Sequence, residues 1–389
     1  MDASMKILLC TVLLVFSALS AAAPAPLPGA PALRPVPAAP ILPARAYILL
    51  DFHSGKVLAE QNADERMEPA SLTKLLTAYT VFQSLDSGKI KLSDQVTISE
   101  KAWRSEGSRT FVQAGSKVSV EDLLKGMIVQ SGNDATIALA EHTAGSEATF
   151  VTLMNQNAQL LGMNSSHFTN STGLPDPELY ITARDIALLT HALIRDFPQY
   201  YTYYAIKEFS YNNIRQYNRN MLLWRDIGAD GVKTGHTESA GFCLVSSALR
   251  DNMRLVAAVL GAKSEKERAD QSQELLNYGF RFFETQRLYS AAQPLKTTRI
   301  WKGASRELKL GLSEDLYVTI PRGQYGQLKA AMEMDKIIIA PAAKDKKYGT
   351  VKITLGDEAV AERPLVALQA VEQGGWWRRL VDSIRLWFA

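Results

Sequence analysis

Apolar positions along this chain fall into three patterns, and each predicts a different kind of element. From Ser71 the run SLTKLLTAYTVFQSL repeats its apolar residues every three or four positions, the period of a helix, and Pro69 marks the start. The same spacing predicts helices over Val120–Gln130, Asp134–Ala144, Ala183–Asp196 and Lys266–Thr285. Shorter apolar runs bounded by turn residues lie between them. AYILLDFHSGKVLAEQ (46–61) reads as a hairpin turning at His53-Ser54-Gly55-Lys56. Asp230–Thr234, Gly241–Leu249 and Arg254–Gly261 read as strands, with Arg250-Asp251-Asn252 turning between the last two. These elements together imply helices packed on a mainly antiparallel sheet, with the first and last helices near each other in space.

From about Pro294 the texture changes. ELKLGL, LYVTIP and TVKITL alternate apolar with polar residues and are separated by Pro and Gly, which predicts a small all-β domain. The final stretch, GGWWRRLVDSIRLWFA, is helical in a different sense. On a wheel of about 100° per residue, Trp376, Trp377, Leu380, Val381, Ile384, Trp387 and Phe388 share one face. Arg378, Arg379, Asp382 and Arg385 share the other, and only Leu386 breaks the pattern. The segment is too short to span a bilayer, but Trp favours the water–lipid boundary and Arg attracts anionic head groups. The competing reading is a helix docked on the protein's own surface.

The N-terminal stretch has its own pattern. Lys6 precedes an apolar run from Ile7 to Leu19, followed by the small residues Ser20, Ala21, Ala22 and Ala23, the layout of a secretory signal cleaved near Ala23. An Ala/Pro-rich stretch to Arg45 reads as an extended linker. The expected divisions are a signal peptide over 1–23, a linker over 24–45, a catalytic domain over 46–287, a β-rich domain over 288–372 and a membrane-anchoring helix over 373–389.

Composition narrows the function. The chain carries 43 Lys and Arg against 40 Asp and Glu, too balanced for a nucleic-acid footprint. Its two cysteines are Cys10, in the expected signal, and Cys243, in the apolar run GFCLVSSAL. The exported protein therefore keeps one thiol, expected to be buried and inert, and no internal disulfide. The five histidines show no ligand spacing, so neither a metal nor a cofactor is expected.

Three short motifs carry the chemistry: Ser71-Leu72-Thr73-Lys74, Ser131-Gly132-Asn133 and Lys233-Thr234-Gly235, with 60 and 102 positions between their first residues. Residues three apart on a helix share a face, so Lys74 can approach the Ser71 hydroxyl. A serine alcohol attacks poorly until a base takes its proton, and a lysine becomes such a base when burial and a second cation such as Lys233 lower its pKa. Ser71 at a helix start is also placed where developing negative charge is favoured. Ser131 can relay a proton to a leaving amine, and Asn133 can hold a substrate amide and position Lys74. Lys233 and Thr234 on an edge strand can bind a carboxylate while the following backbone pairs with substrate. S-x-x-K and K-T-G each occur once; Ser210-Tyr211-Asn212 also matches S-x-N, and Ser131 is preferred because it joins two helical patterns. His236, next to K-T-G, is expected at the cleft rim.

The motif set resembles the penicillin-binding proteins and serine β-lactamases. QSGNDA, VKTGHTESAGFCLVSSA and NRNMLLW resemble the low-molecular-mass penicillin-binding proteins that act as D-alanyl-D-alanine carboxypeptidases. The resemblance implies an α+β fold: a serine β-lactamase/penicillin-binding-protein-like catalytic domain, then a small all-β domain and a C-terminal amphipathic helix. It implies that Ser71 attacks the peptide bond between two D-alanines of a peptidoglycan stem peptide, with Lys74 as base and Ser131, Asn133 and Lys233 assisting. It places the backbone N–H groups of Ser71 and His236 in the oxyanion hole, and Arg219, Thr234 and Gly235 in the substrate site. β-Lactams are implied as covalent inhibitors, and the periplasmic face of the inner membrane as the location. A serine β-lactamase is the first alternative, but its glutamate loop E-x-x-L-N has no match: Glu178 and Glu208 lack the asparagine. A non-catalytic cell-wall-binding scaffold is the second.

Overall fold

Strand β1 (Ala46–Asp51) begins the described body and turns at His53–Lys56 into β2 (Val57–Gln61), the expected hairpin. The structure is a computed structural model and describes residues 36–226 and 228–388. The expected signal peptide over 1–23 and the first part of the linker lie outside the described residues. The linker's last residues have no regular structure but are docked: Leu42 and Ala44 are buried, and Tyr47 and Tyr278 donate their hydroxyls to Pro40 O and Pro37 O.

Helices α1 (Thr73–Asp86), α2 (Asn133–Ala144), α3 (Ala183–Asp196) and α4 (Glu265–Phe282) match the expected ones closely. So do strands β3 (Ala229–Thr237), β4 (Gly241–Arg250) and β5 (Met253–Ala262). The five strands form one antiparallel sheet in the order β2-β1-β5-β4-β3, so β3 is an edge strand. Alternate residues of the central strands serve two cores. Ile48, Leu50, Val256, Ala258 and Val245 pack with α1 and α3; Tyr47, Leu49, Leu255, Ala257 and Leu244 pack with α4.

One expectation fails here. The first and last helices, α1 and α4, are not neighbours but cover opposite faces of the sheet. The strand sequences carry the reason: RLVAAVLGA is apolar at consecutive positions, which a sheet needs only when both faces are covered. Helix α4 also stops at Phe282 instead of Thr285, because the chain passes directly into β6 (Phe283–Tyr289).

The β-rich part contains β7 (Lys296–Arg299), β8 (Glu307–Gly311), β9 (Leu316–Pro321), β10 (Leu328–Met334), β11 (Lys347–Leu355) and β12 (Glu358–Ala367). One sheet runs β7-β8-β12-β11-β10, and β6 pairs with β9. Leu308, Leu310, Val318, Ile320, Val351 and Ile353 fill its core. A polar cluster fastens it to the first hairpin. Thr285 Oγ1 donates to the buried Asp51 carboxylate at 2.7 Å, Ser54 Oγ meets Thr319 Oγ1 at 2.6 Å, and His53 stacks on Tyr317 at 4.5 Å. Helix α5 (Trp376–Leu386) closes the described chain.

Candidate active site

The nucleophile candidate sits on a tight turn. Ala70–Leu72 form a short 3-10 segment just before α1, and Ala70 is held at φ 46°, in the left-handed region that a residue with Cβ rarely adopts. One helical turn on, Lys74 points back, and its Nζ lies 3.0 Å from Ser71 Oγ. Its second hydrogen bond goes to Thr172 O at 2.6 Å, an acceptor the motif reading did not single out.

Thr172 belongs to the turn Asn170-Ser171-Thr172-Gly173, which is held from several sides. Asn170 Oδ1 accepts from Thr172 N and Gly173 N, Glu147 Oε1 from Ser171 N and Oγ, and Thr77 Oγ1 donates to Ser171 O. Gly173 has φ 84°, and a Cβ on it would lie 1.8 Å from Ala70 O. Only glycine allows this turn to touch the nucleophile turn so closely. Gly173→Ala is therefore expected to lower stability by about 1–3 kcal/mol and to slow acylation of Ser71 by displacing the 70–72 turn. Thermal unfolding beside the rate of labelling by a fluorescent penicillin checks both; unchanged values would remove this contact from the account.

The second motif follows a helix that loosens at its end. Val120–Lys125 is α-helical, Gly126–Gln130 is a π turn, and Ser131 then takes φ 66° before α2 begins. This reversal aims Ser131 into the cleft, where Lys233 Nζ donates to its Oγ at 2.9 Å. Asn133 Nδ2 donates to Glu106 O at 2.6 Å and its backbone N to Ser108 O at 2.7 Å. Next to it, fully buried Asp134 accepts from the backbone N–H groups of Thr110, Phe111 and Val112. That carboxylate holds the 107–112 loop against the cleft and has no place in the S-G-N motif itself.

Strand β3 supplies the third motif from the sheet edge. Lys233 donates to Ser131 Oγ and, at 3.1 Å, to Thr234 O. Arg268 on α4 donates to Gly235 O at 3.2 Å and is itself buried. His236 is exposed at the rim and stacks on Phe242 at 4.0 Å, as its position beside K-T-G suggests.

These parts enclose a cleft of about 510 Å3 whose walls include Ser71, Ser131, Asn133, Arg219, Thr234, Gly235 and His236. Lys74 and Lys233 lie buried behind them. Every residue named from the motifs is thus brought to one place. Arg219 is held there by its neighbours: Asn218 donates to Ile206 O and Asn220 to Gly231 O, both from buried side chains. Arg268, Asp134 and Thr172 are the functional neighbours that motif reading missed. A larger groove of about 890 Å3, lined by Arg250, Arg287 and Tyr317, lies at the junction with the β-rich part and shares none of the motif residues.

The electrostatics suit a neutral amine. Burial, reinforced by the Arg219 charge and opposed by Asp134, pulls the Lys74 pKa down to about 7. Burial pulls Lys233 well below the usual lysine range, assisted by the charges of Lys74, Arg219 and Arg268. Cys243 pairs with Gly235 on the neighbouring strand, and burial pushes its thiol up to about 11, which makes it the inert group expected.

A sequence profile described as D-alanyl-D-alanine carboxypeptidase matches residues 35–264, and one described as penicillin-binding protein 5, C-terminal domain, matches 283–373. The chain is 46% identical over 358 residues to the D-alanyl-D-alanine carboxypeptidase DacC of Escherichia coli, covering 90% of each protein. It is 42% identical to penicillin-binding protein 5 from Haemophilus influenzae, with a TM-score of 0.83, covering 86% of this chain and 99% of that one. It is also similar to penicillin-binding protein D2 from Listeria monocytogenes in an ampicillin-bound form, at 29% identity and a TM-score of 0.58 over 63% of this chain and 100% of the other.

Proposed function

Because the chain belongs to the D-alanyl-D-alanine carboxypeptidase family, we propose that its cleft removes the terminal D-alanine of peptidoglycan stem peptides through an acyl-enzyme on Ser71. It is a serine-type D-alanyl-D-alanine carboxypeptidase with an α+β catalytic domain followed by a β-rich one. One observation carries the residue roles: a buried amine, pulled down to about 7, stands 3.0 Å from the Ser71 hydroxyl.

The roles follow from position. Lys74 takes the Ser71 proton as the oxygen attacks the carbonyl between the two D-alanines. The backbone N–H groups of Ser71 and His236 receive the oxyanion. Ser131, hydrogen-bonded to Lys233, returns a proton to the departing amine, and Asn133 holds the substrate amide. Thr234, Arg219 and the buried Arg268 hold the terminal carboxylate, and Gly235 on the edge strand lets the substrate backbone lie alongside. Water then cleaves the ester. β-Lactams enter the same path and stop at the acyl-enzyme, a reading supported by the related ampicillin-bound structure.

The β-lactamase alternative is not favoured. Glu178 and Glu208 are both exposed, and neither is among the residues that line the cleft. A purified protein given a peptide ending in D-Ala-D-Ala is expected to release free D-alanine, and an added amine separates transfer from hydrolysis. Absence of D-alanine would overturn the assignment, and rapid repeated turnover of benzylpenicillin would restore the alternative.

The location belongs to the same proposal: an exported enzyme on the periplasmic face of the inner membrane, tethered by residues 373–389. Among the described residues no helix is long and apolar enough to cross a membrane. Trp376, Trp377, Trp387 and Phe388 are all strongly exposed, which supports surface insertion. Deleting residues 374–389 is expected to move the protein from the membrane fraction to the soluble one, with D-alanine release unchanged. The division into 46–287, 288–372 and 373–389 belongs to the same proposal, with the pairing of β6 and β9 as support for a first junction at the end of α4.

A further inference from the structure

We propose that the lipid-contacting surface is a composite, in which the segment Ile337–Ile339 of the β-rich domain enters the bilayer beside helix α5. This rests on the reading of α5 as a membrane anchor.

The first observation is the roll of the helix. A helix docked on its own protein normally buries its apolar face. Here the polar face is docked. Asp382 is buried, accepts from Lys302 N at 2.7 Å and pairs with Arg299 at 3.4 Å. Arg378 donates to Ala304 O at 2.9 Å, and Gly374 N to Lys302 O at 2.8 Å. On the wheel Asp382 lies opposite Trp376, Leu380 and Ile384, so the contact that holds the helix also turns its apolar stripe outward.

The second observation is what adjoins that stripe. Ile339 shares a groove with Trp376 and Leu380, and Lys302 and Arg379 line the same groove. Ile337 and Ile339 are 47% and 46% exposed, whereas Ile338 between them is 2% exposed and belongs to the domain core. Alternate residues of an extended segment point the same way, so Ile337 faces the side on which Ile339 meets the helix. The segment is held: Trp301 N donates to Ile338 O at 2.8 Å and Ala340 N to Trp301 O at 2.9 Å. Two large isoleucines are thus presented on a fixed backbone, continuous with the exposed tryptophans.

The charge at the rim selects the occupant. Lys302 and Arg379 line the groove between Ile339 and the helix, and Asp382 is already paired inward. A second copy packed symmetrically on the same face would bring these cations against their own counterparts. A bilayer with anionic head groups would meet them with opposite charge. Contact through two elements, the helix and the 337–339 segment, would fix the tilt of the β-rich domain, and the polar cluster at Asp51, Thr285 and Thr319 would pass that orientation to the catalytic domain.

The test uses the exported form of the full-length protein, vesicles of phosphatidylethanolamine and phosphatidylglycerol, and two variants. The double substitution Ile337→Ser with Ile339→Ser is expected to weaken vesicle binding about tenfold while D-alanine release from a soluble peptide stays unchanged. Ile337→Cys carries an environment-sensitive fluorophore, which Cys243 does not compete for because it is buried. Its emission is expected to shift blue on vesicle binding. Wild-type binding by both variants with no emission shift overturns the composite surface and leaves the helix acting alone. Failure of the wild-type protein to bind vesicles at all overturns the anchor reading itself. A dimer in solution that the double substitution dissolves also overturns the proposal, since the surface would then face a second copy.

Discussion

Ser71→Ala is expected to abolish release of D-alanine, by a factor on the order of 10^3 or more, while the protein stays folded. The size follows from what the hydroxyl does. Oxyanion donors and the carboxylate site survive the change, so substrate still binds, but no acyl-enzyme forms. The fold has little reason to respond, because among the described residues the Ser71 hydroxyl's hydrogen-bond partner is Lys74, and Lys74 keeps its bond to Thr172 O. Two measurements check it: D-alanine released from a D-Ala-D-Ala peptide, and the mass of the protein after benzylpenicillin. Wild type is expected to gain the mass of one penicilloyl group and the variant none. Release that persists in the variant would move the nucleophile elsewhere in the cleft.

The motif residues were legible because each answers to a local rule. Ser71 and Lys74 need only one helical turn, and Lys233 and Thr234 need only a strand. What could not be read is set by contacts between distant segments. Thr172 acts through a carbonyl oxygen, which no side-chain pattern reveals; the run Asn170-Ser171-Thr172-Gly173 signals a turn and nothing more. Arg268 looks like one charge among several on an amphipathic helix until α4 is laid across the sheet and its guanidinium reaches Gly235 O. Asp134 reads as an ordinary first-turn acid of α2, yet it gathers three backbone N–H groups of a loop more than twenty residues earlier.

The terminal helix shows the same division. Its two faces were plain in the sequence, and Leu386 was the one residue out of place. The structure accounts for the exception: Leu386 is half-buried on the docked side, with Asp382 and Arg378. The wheel alone made docking and membrane binding competitors. They are compatible once the polar face does the docking, and that could not be inferred without knowing that Lys302 N and Arg299 wait opposite Asp382.

Lys74→Met is expected to slow acylation of Ser71 by about 10^2–10^4-fold, and the wild-type pH profile should show why. The amine works as a base only when neutral. Its pKa lies at about 7 instead of the ordinary 10.5, so wild-type acylation should rise as pH increases through about 7 and level off above it. Methionine keeps the length of the buried side chain but has no proton to exchange, so the variant's residual rate should lack that rise. Stability supplies an independent readout. Unfolded Lys74 would bind a proton up to about 10.5 while folded Lys74 has already lost it above about 7, so across that window the unfolded state holds more protons. Wild-type stability therefore declines as pH falls from 10.5 to 7 on account of this group, and the variant escapes that decline. The stability of the methionine variant relative to wild type should grow over the same interval and stay constant below it. A wild-type acylation profile flat from pH 6 to 8, with no pH-dependent stability difference, would mean that the amine is charged throughout and that another group takes the Ser71 proton.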